Sequence, residues 1–407
     1  MALKCIGTNI DTKLSKEVKM TLSNNKLKIQ DVVFILGIWF SAFAGLLNTT
    51  INKIALYIVL PILFCVTILT NIRVKPHKYM RLLLLLFIWI LFSVLWASNV
   101  QLALVQVNQI LGSFILCYII SIQGLKPRLV PWLYVTFIIV LIADWYYAYN
   151  NIFSVIDLGV ERLNDDKLNA NTFGYHTFYA TFALFILGEI NMKHRRLFQI
   201  MFLLMIPLSF LTAIYTASRQ ILHIQVPLIL LLLYGRYYRS KSIRLKVVAI
   251  IITVISALVL IPRAVDMYSG STLKERTELD VNEDGRLLLL LDAISVGNQY
   301  YPLGVGANNF QLYTNNKGFS HNTYLELYAN EGIIGVLLYV IMLLTFLKRQ
   351  WRRYRMTGDV IFFYFFVAGF IYALDGFFYV FYPHLWLISF FILIATHSEL
   401  YYNKYKH

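Results

Sequence analysis

Met80-Arg-Leu-Leu-Leu-Leu-Leu-Phe-Ile-Trp-Ile-Leu-Phe-Ser-Val-Leu-Trp96 carries one charge, Arg81, and otherwise runs almost wholly apolar. As a helix rising ~1.5 Å per residue it covers most of a hydrocarbon core of ~30 Å. Similar runs recur outward from it in both directions. They fall near residues 31–49, 54–70, 102–120, 129–147, 171–190, 198–215, 220–234, 246–262, 324–347, 359–377 and 381–397, which makes about twelve spans. Lipid offers no partner to an unpaired backbone group, so long continuous runs read as helices, whereas barrel strands would be shorter and alternate. The expected fold class is therefore all-α, a polytopic integral membrane protein with a single membrane domain over residues 1–407.

Composition agrees with this reading, with 59% hydrophobic and 14% charged residues in a chain of 407. The net charge of +15 follows from topology. With the N-terminus in the cytoplasm, 27 of the 36 Lys and Arg residues fall in inner segments and 9 in outer ones, which is the asymmetry cytoplasmic loops retain. The charge is thus no nucleic-acid footprint, and no nucleic-acid partner is expected. Residues 1–30 are polar and basic with no apolar stretch of signal-peptide type, so they read as a cytoplasmic segment followed by an uncleaved anchor. Both termini are then cytoplasmic. Cys5, Cys65 and Cys117 suit neither a disulfide framework nor a metal site.

Two outer segments interrupt the short connections. Residues 148–170 carry Asp157, Glu161, Arg162, Asp165, Asp166 and Lys167. Residues 263–323 form the larger loop, between the ninth and tenth spans, with a short amphipathic helix expected over Leu287–Ile294 and a turn-rich stretch from Tyr301 to Phe310. No internal duplication of the polar pattern is visible, which weakens an inverted-repeat transporter reading.

The candidate chemistry sits on the same outer side. Arg219 lies in a connection so short that its guanidinium meets the membrane boundary, where it needs an anion: a phosphate, gripped by its fork of donors, or a carboxylate such as Asp144 or Asp375. Snorkelling into headgroups is the blander alternative. Arg286 opens the loop helix behind a capping Asp284, and Arg263, at the end of the ninth span, suits interface anchoring. Thr323-Tyr-Leu-Glu326 fits a capping box, which gives Glu326 a structural task and places His321 and Asn322 just before a helix N-terminus. A neutral imidazole there can act as a base, and a polar turn residue is the ordinary alternative. Tyr324 and other outer tyrosines could stack on sugars or simply anchor at the interface. His176 and His223 fall in spans and are expected to bond across helices; His77, His194, His397 and His407 fall in cytoplasmic segments. Asp165-Asp166 are adjacent, with no chelating spacing and no His/Cys cluster, so no metal and no cofactor is expected.

Leu95-Trp-Ala-Ser98, Asn169-Ala-Asn-Thr-Phe-Gly174, Ala217-Ser218-Arg219, Gly285-Arg286, Pro302-Leu-Gly-Val-Gly-Ala-Asn-Asn-Phe310 and His321-Asn-Thr-Tyr-Leu-Glu326 with Glu331-Gly-Ile-Ile-Gly335 occur in that order. Together they resemble the O-antigen ligase and O-antigen polymerase superfamily of bacterial membrane glycosyltransferases. Gln220 and Ile221 depart from the small residues often found after that arginine. The resemblance implies transfer of a glycan from an undecaprenyl-diphosphate carrier to an acceptor sugar or a lipid A-core, without a metal, on the periplasmic face of the inner membrane. It implies that Arg219 and Arg286 hold the diphosphate, that His321 orients or deprotonates the acceptor, and that Asn322 orients the histidine or a sugar hydroxyl. Ser218, Arg263, Glu326 and Tyr324 are expected to line the substrate site, and a chain-length regulator is an expected partner. A polymerase is favoured over a ligase. The rival class is a flippase of carrier-linked glycans, which would place ionisable groups at mid-membrane, where these spans carry few.

Overall fold

The computed structural model of the chain describes residues 26–47, 49–151, 170–190, 194–216, 219–238, 243, 247, 285–314, 318–380 and 385–406, in places by backbone alone, as at 219–224, 285 and 286. The helices are α1 (Ile29–Leu47), α2 (Thr49–Ile54, a π-helical turn Ala55–Val59, then Leu60–Thr70), α3 (Lys78–Ser93), α4 (Val100–Gln123), α5 (Val130–Asn151) and α6 (Ala170–Ile190). Then come α7 (Arg195–Thr216), α8 (Arg219–Leu233), α9 (Gly285–Gln299), α10 (Thr323–Thr357), α11 (Val360–Asp375) and α12 (Leu385–Lys406). No strand occurs among the described residues.

Among the described residues six stretches are long and apolar enough to cross a membrane: Thr50–Thr70, Lys78–Trp96, Val100–Gln123, Val130–Asn151, Arg195–Ala213 and Thr323–Thr357. Ile29–Ala44, Pro227–Arg236, Leu287–Gln299 and Val360–Asp375 are apolar but shorter. The sequence expectation of about twelve spans is thus met by six on length and composition. The ninth run, 246–262, lies outside the described residues apart from Val247. The expected helix at 287–294 is present and longer, as α9.

α6 and α12 form the centre of the bundle, buried along nearly all of their described length, whereas α2 and α3 expose Ile, Leu and Phe side chains on one side. Aromatic edges fill the centre: Phe390 of α12 meets Phe137 of α5 and Phe178, Tyr179 and Phe182 of α6 at 4.4–5.7 Å between ring centroids. Buried polar groups then fix the register. Gln225 Nε2 of α8 donates to Thr181 Oγ1 of α6 at 2.6 Å and to Ser209 Oγ of α7 at 3.1 Å. A single amide thus ties three successive helices at one depth, since losing a buried partner costs about 1–3 kcal/mol.

One end of the bundle is clamped by ion pairs. Arg128 forks onto Asp31, Arg236 meets Glu189 at 2.8 Å, and Arg349 and Arg353 share Glu399 at 2.9 and 2.7 Å. His397, expected in a cytoplasmic segment, is instead buried in α12 with Nδ1 on the Tyr134 hydroxyl. His77 caps α3 by accepting from the Met80 amide, and its Nε2 meets Thr396 Oγ1 at 2.8 Å. Burial, with the nearby Arg349 and Arg81 charges, pushes its pKa down to about 3.

His77 therefore stays neutral in the folded protein, while the unfolded chain takes up its proton below about 6.5. Folding stability should be full above that pH and fall as pH drops toward 3. Thermal unfolding of the detergent-solubilised protein checks this: His77→Asn, which retains a capping acceptor, should show a weaker acid dependence than wild type. Parallel curves would contradict it.

Candidate active site at one end of the bundle

The opposite end is built around a broken helix. α10 is interrupted at Gly332, whose φ of 67° and ψ of −167° lie outside what side-chain-bearing residues readily adopt. A break in a helix frees backbone groups that must be satisfied elsewhere. The Val305 and Gly306 amides donate to the Ala329 and Asn330 carbonyls at 2.9 and 2.8 Å, and the Ile333 amide donates to Pro302 O at 3.1 Å. Trp89 Nε1 of α3 donates to Glu331 O at 2.8 Å. The Pro302–Gly306 turn is thereby spliced into the helix it precedes in sequence. A Cβ on Gly332 would collide with Pro302 O, and one on Gly306 would lie 2.6 Å from Ala97 Cα.

The same turn locks the α3–α4 connection. Ser93 Oγ accepts from the Ala307 amide at 3.0 Å, Asn309 Oδ1 accepts from the Asn99 amide at 2.7 Å, and Ser98 Oγ bonds the Tyr313 hydroxyl. Asn330 Oδ1 accepts from the Phe310 amide. Under this polar lattice Ala293 and Val296 of α9 pack with Val305, Phe310 and Ala329 as a small separate core.

The histidine segment sits beside it. The helix cap is Asn322, not Thr323: its Oδ1 accepts from the Tyr324 and Leu325 amides, both at 3.0 Å. The expected capping box is therefore corrected. Thr323 is already helical and donates its hydroxyl to Tyr379 O at 2.6 Å. Glu326, buried, still serves backbone, but Oε2 accepts from Ser320 N at 2.7 Å and Oε1 from Asn330 Nδ2. His321 lies between Ser320 and the cap, half-buried, with φ of 53°. A positive φ is uncommon for a side-chain-bearing residue, and His is among those that tolerate it. Tyr324 donates its hydroxyl to Ala373 O and packs against Phe377, so its role is to join α10 to α11.

Arg219 is the first residue of α8 and Arg286 the second of α9; their side chains are not described. Ser218 and Arg263 lie outside the described residues. Bonds show which helix ends share this face. Gly376 O at the end of α11 accepts from the Thr323 amide, and Tyr175 near the start of α6 donates to Phe378 O. The starts of α6 and α10 and the end of α11 therefore coincide. Because α6, α7 and α8 alternate in direction, α8 also starts here. Asp144, weighed as a partner for Arg219, instead meets His176 Nδ1 at 2.6 Å. The sequence expectation that His176 bonds across helices is met, but its partner Asp144 and the splice at Gly332 were not read from the sequence; the signal for the splice was the glycine pair Gly304 and Gly306 recurring before Glu331-Gly332.

Fold and site define a polytopic helical membrane protein with its polar machinery gathered at one end of the bundle. Residues 200–340 match the family model described as O-antigen ligase, which supports the O-antigen ligase and polymerase superfamily as the family of this chain. The match runs from α7 into α10 and includes Arg219, Arg286 and His321; Leu95–Ser98 and Asn169–Gly174 fall outside it. No curated protein matches the chain.

Gly332→Ala combines a disfavoured backbone with a collision, and should destabilise by about 1–3 kcal/mol from the backbone alone, read as a lower unfolding temperature. Gly358→Ala, also at positive φ but with nothing within 4 Å, should lower it much less. Equal effects would refute the splice. Asn322→Ala should cost about 0.5–2 kcal/mol through the lost cap, and Asn322→Asp, which keeps the acceptor, should recover most of it; chemical denaturation in detergent distinguishes the two.

Proposed function

We propose that this chain is a membrane glycosyltransferase that joins repeat units of a surface polysaccharide carried on undecaprenyl diphosphate, working without a metal on the periplasmic face. The observation that carries this reading is the family-matched segment whose Arg219, Arg286 and His321 positions belong to the helix starts and loop described above. The clamped opposite end, rich in Lys and Arg, supports the orientation by the positive-inside trend.

In this reading the Arg219 and Arg286 guanidiniums grip the donor diphosphate and take up its charge as it leaves, the electrostatic task a divalent cation performs elsewhere. His321 orients the acceptor hydroxyl for attack on the anomeric carbon, with inversion. Asn322 and Glu326 are committed to holding the loop and act through it. A ligase that transfers the glycan to lipid A-core is the second reading, favoured by the description of the matched family. A flippase is disfavoured by a polar end rather than a polar middle.

Purified protein in proteoliposomes with carrier-linked repeat units alone tests this. The polymerase reading expects chain growth without lipid A-core; growth only when lipid A-core is added identifies a ligase. Arg219→Ala and Arg286→Ala should each lower turnover about 10²–10³-fold, as expected for removing one charge-stabilising donor. Intact turnover with lost transport across the vesicle would instead support a flippase.

A further inference from the structure

We propose that Asp144 and His176 are the proton-accepting couple of the transfer, with His176 Nε2 taking the proton of the acceptor hydroxyl. This rests on the glycosyl-transfer reading above. Neither residue lies in the family-matched segment.

The couple is a pair of ionisable side chains between α5 and α6, with His176 7% and Asp144 2% exposed. Such groups are costly inside an apolar bundle. The hydrogen bond that ties the two helices could be made by neutral side chains, so the geometry of the pair is more informative than its presence. Asp144 Oδ2 lies 2.6 Å from Nδ1; with the carboxylate accepting there, the neutral imidazole carries its proton on Nδ1 and its lone pair on Nε2. Among the described residues no hydrogen bond to Nε2 is formed, the Nδ1 contact to Asp144 being the ring's only one there. An imidazole oriented by a carboxylate with its second nitrogen open is the arrangement of a general base.

Depth places the couple level with the proposed donor site. The bond from Gln225 to Thr181 sets α8 level with α6. His176 precedes Thr181 by five residues and Arg219 precedes Gln225 by six, so the two positions lie ~7.5 and ~9 Å further along parallel helices, within about one residue of each other. The adjacent Tyr175 donates to Phe378 O and meets the Tyr379 ring, tilted, at 4.8 Å between centroids, and the Tyr379 carbonyl accepts from Thr323 close to His321. The couple, the first turn of α8 and the His321 loop thus belong to one layer.

The step balances without a further reagent. The acceptor oxygen forms its bond to the anomeric carbon as its proton passes to Nε2. The bond from that carbon to the diphosphate oxygen breaks, and its electron pair leaves with the diphosphate. Asp144 stabilises the imidazolium, which later releases the proton to water. His321 then orients the acceptor and need not take the proton.

The test uses full-length protein in proteoliposomes with carrier-linked glycan isolated from cells that make it. His176→Gln should lower kcat about 10²–10⁴-fold, the usual contribution of a general base, with the KM for donor unchanged. Imidazole added to His176→Ala should restore part of the rate. Asp144→Asn, which preserves an acceptor for Nδ1, should lower kcat in the same sense and keeps the test open if the histidine variants do not fold. Wild-type turnover in His176→Gln, or donor binding lost in step with turnover and no rescue by imidazole, overturns the proposal. Wild-type protein that transfers no glycan overturns the glycosyl-transfer reading itself.

Discussion

The end of the bundle where His321 lies depends on the splice at Gly332. A continuous helix from Thr323 to Thr357 would leave the Pro302–Gly306 turn with nothing to bond. Broken there, α10 offers the Ala329 and Asn330 carbonyls and the Ile333 amide to that turn. Trp89, Ser93 and Asn99 bring α3 and α4 to the same assembly. Because nearly every member is a buried backbone group, satisfaction of one is the condition for satisfaction of the next. The loop that carries Arg286 thereby has one fixed attachment to the helix that carries His321.

The two ends of the bundle solve different problems. At one, ion pairs such as Arg353 with Glu399 hold helix ends together, and Arg353 also lies 4.2 Å over the Tyr402 ring. At the other, the joints are carbonyls, amides and hydroxyls: Thr323 to Tyr379, Tyr324 to Ala373, Tyr175 to Phe378. Neutral joints carry this end, and Asp144, one of the two carboxylates weighed for Arg219, is committed to His176.

Much of this was legible in the sequence. Apolar run length pointed to the helical class directly, because only helices and closed barrels satisfy the backbone in lipid and barrel strands would be shorter and alternate. The Gly304 and Gly306 turn, the helix after His321 and the helix after Arg286 each announced themselves by local chemistry. What could not be read were relations across helices. A capping box and an Asn cap differ by one residue in register, and Asn322 won because its short side chain reaches two amides at once. The Asp144–His176 couple joins residues 32 apart on separate helices, and no local periodicity encodes which faces meet.

The central claim is that a carrier diphosphate binds at the end of the bundle where α8 and α9 begin and His321 lies. A structure of the protein in a lipid nanodisc with bound undecaprenyl diphosphate tests it most directly. The account predicts phosphate oxygens within hydrogen-bonding distance of the Arg219 and Arg286 guanidiniums, with His321 and His176 facing the same space. A diphosphate bound at the end held by Arg349 and Arg353, or midway along the bundle, would contradict it.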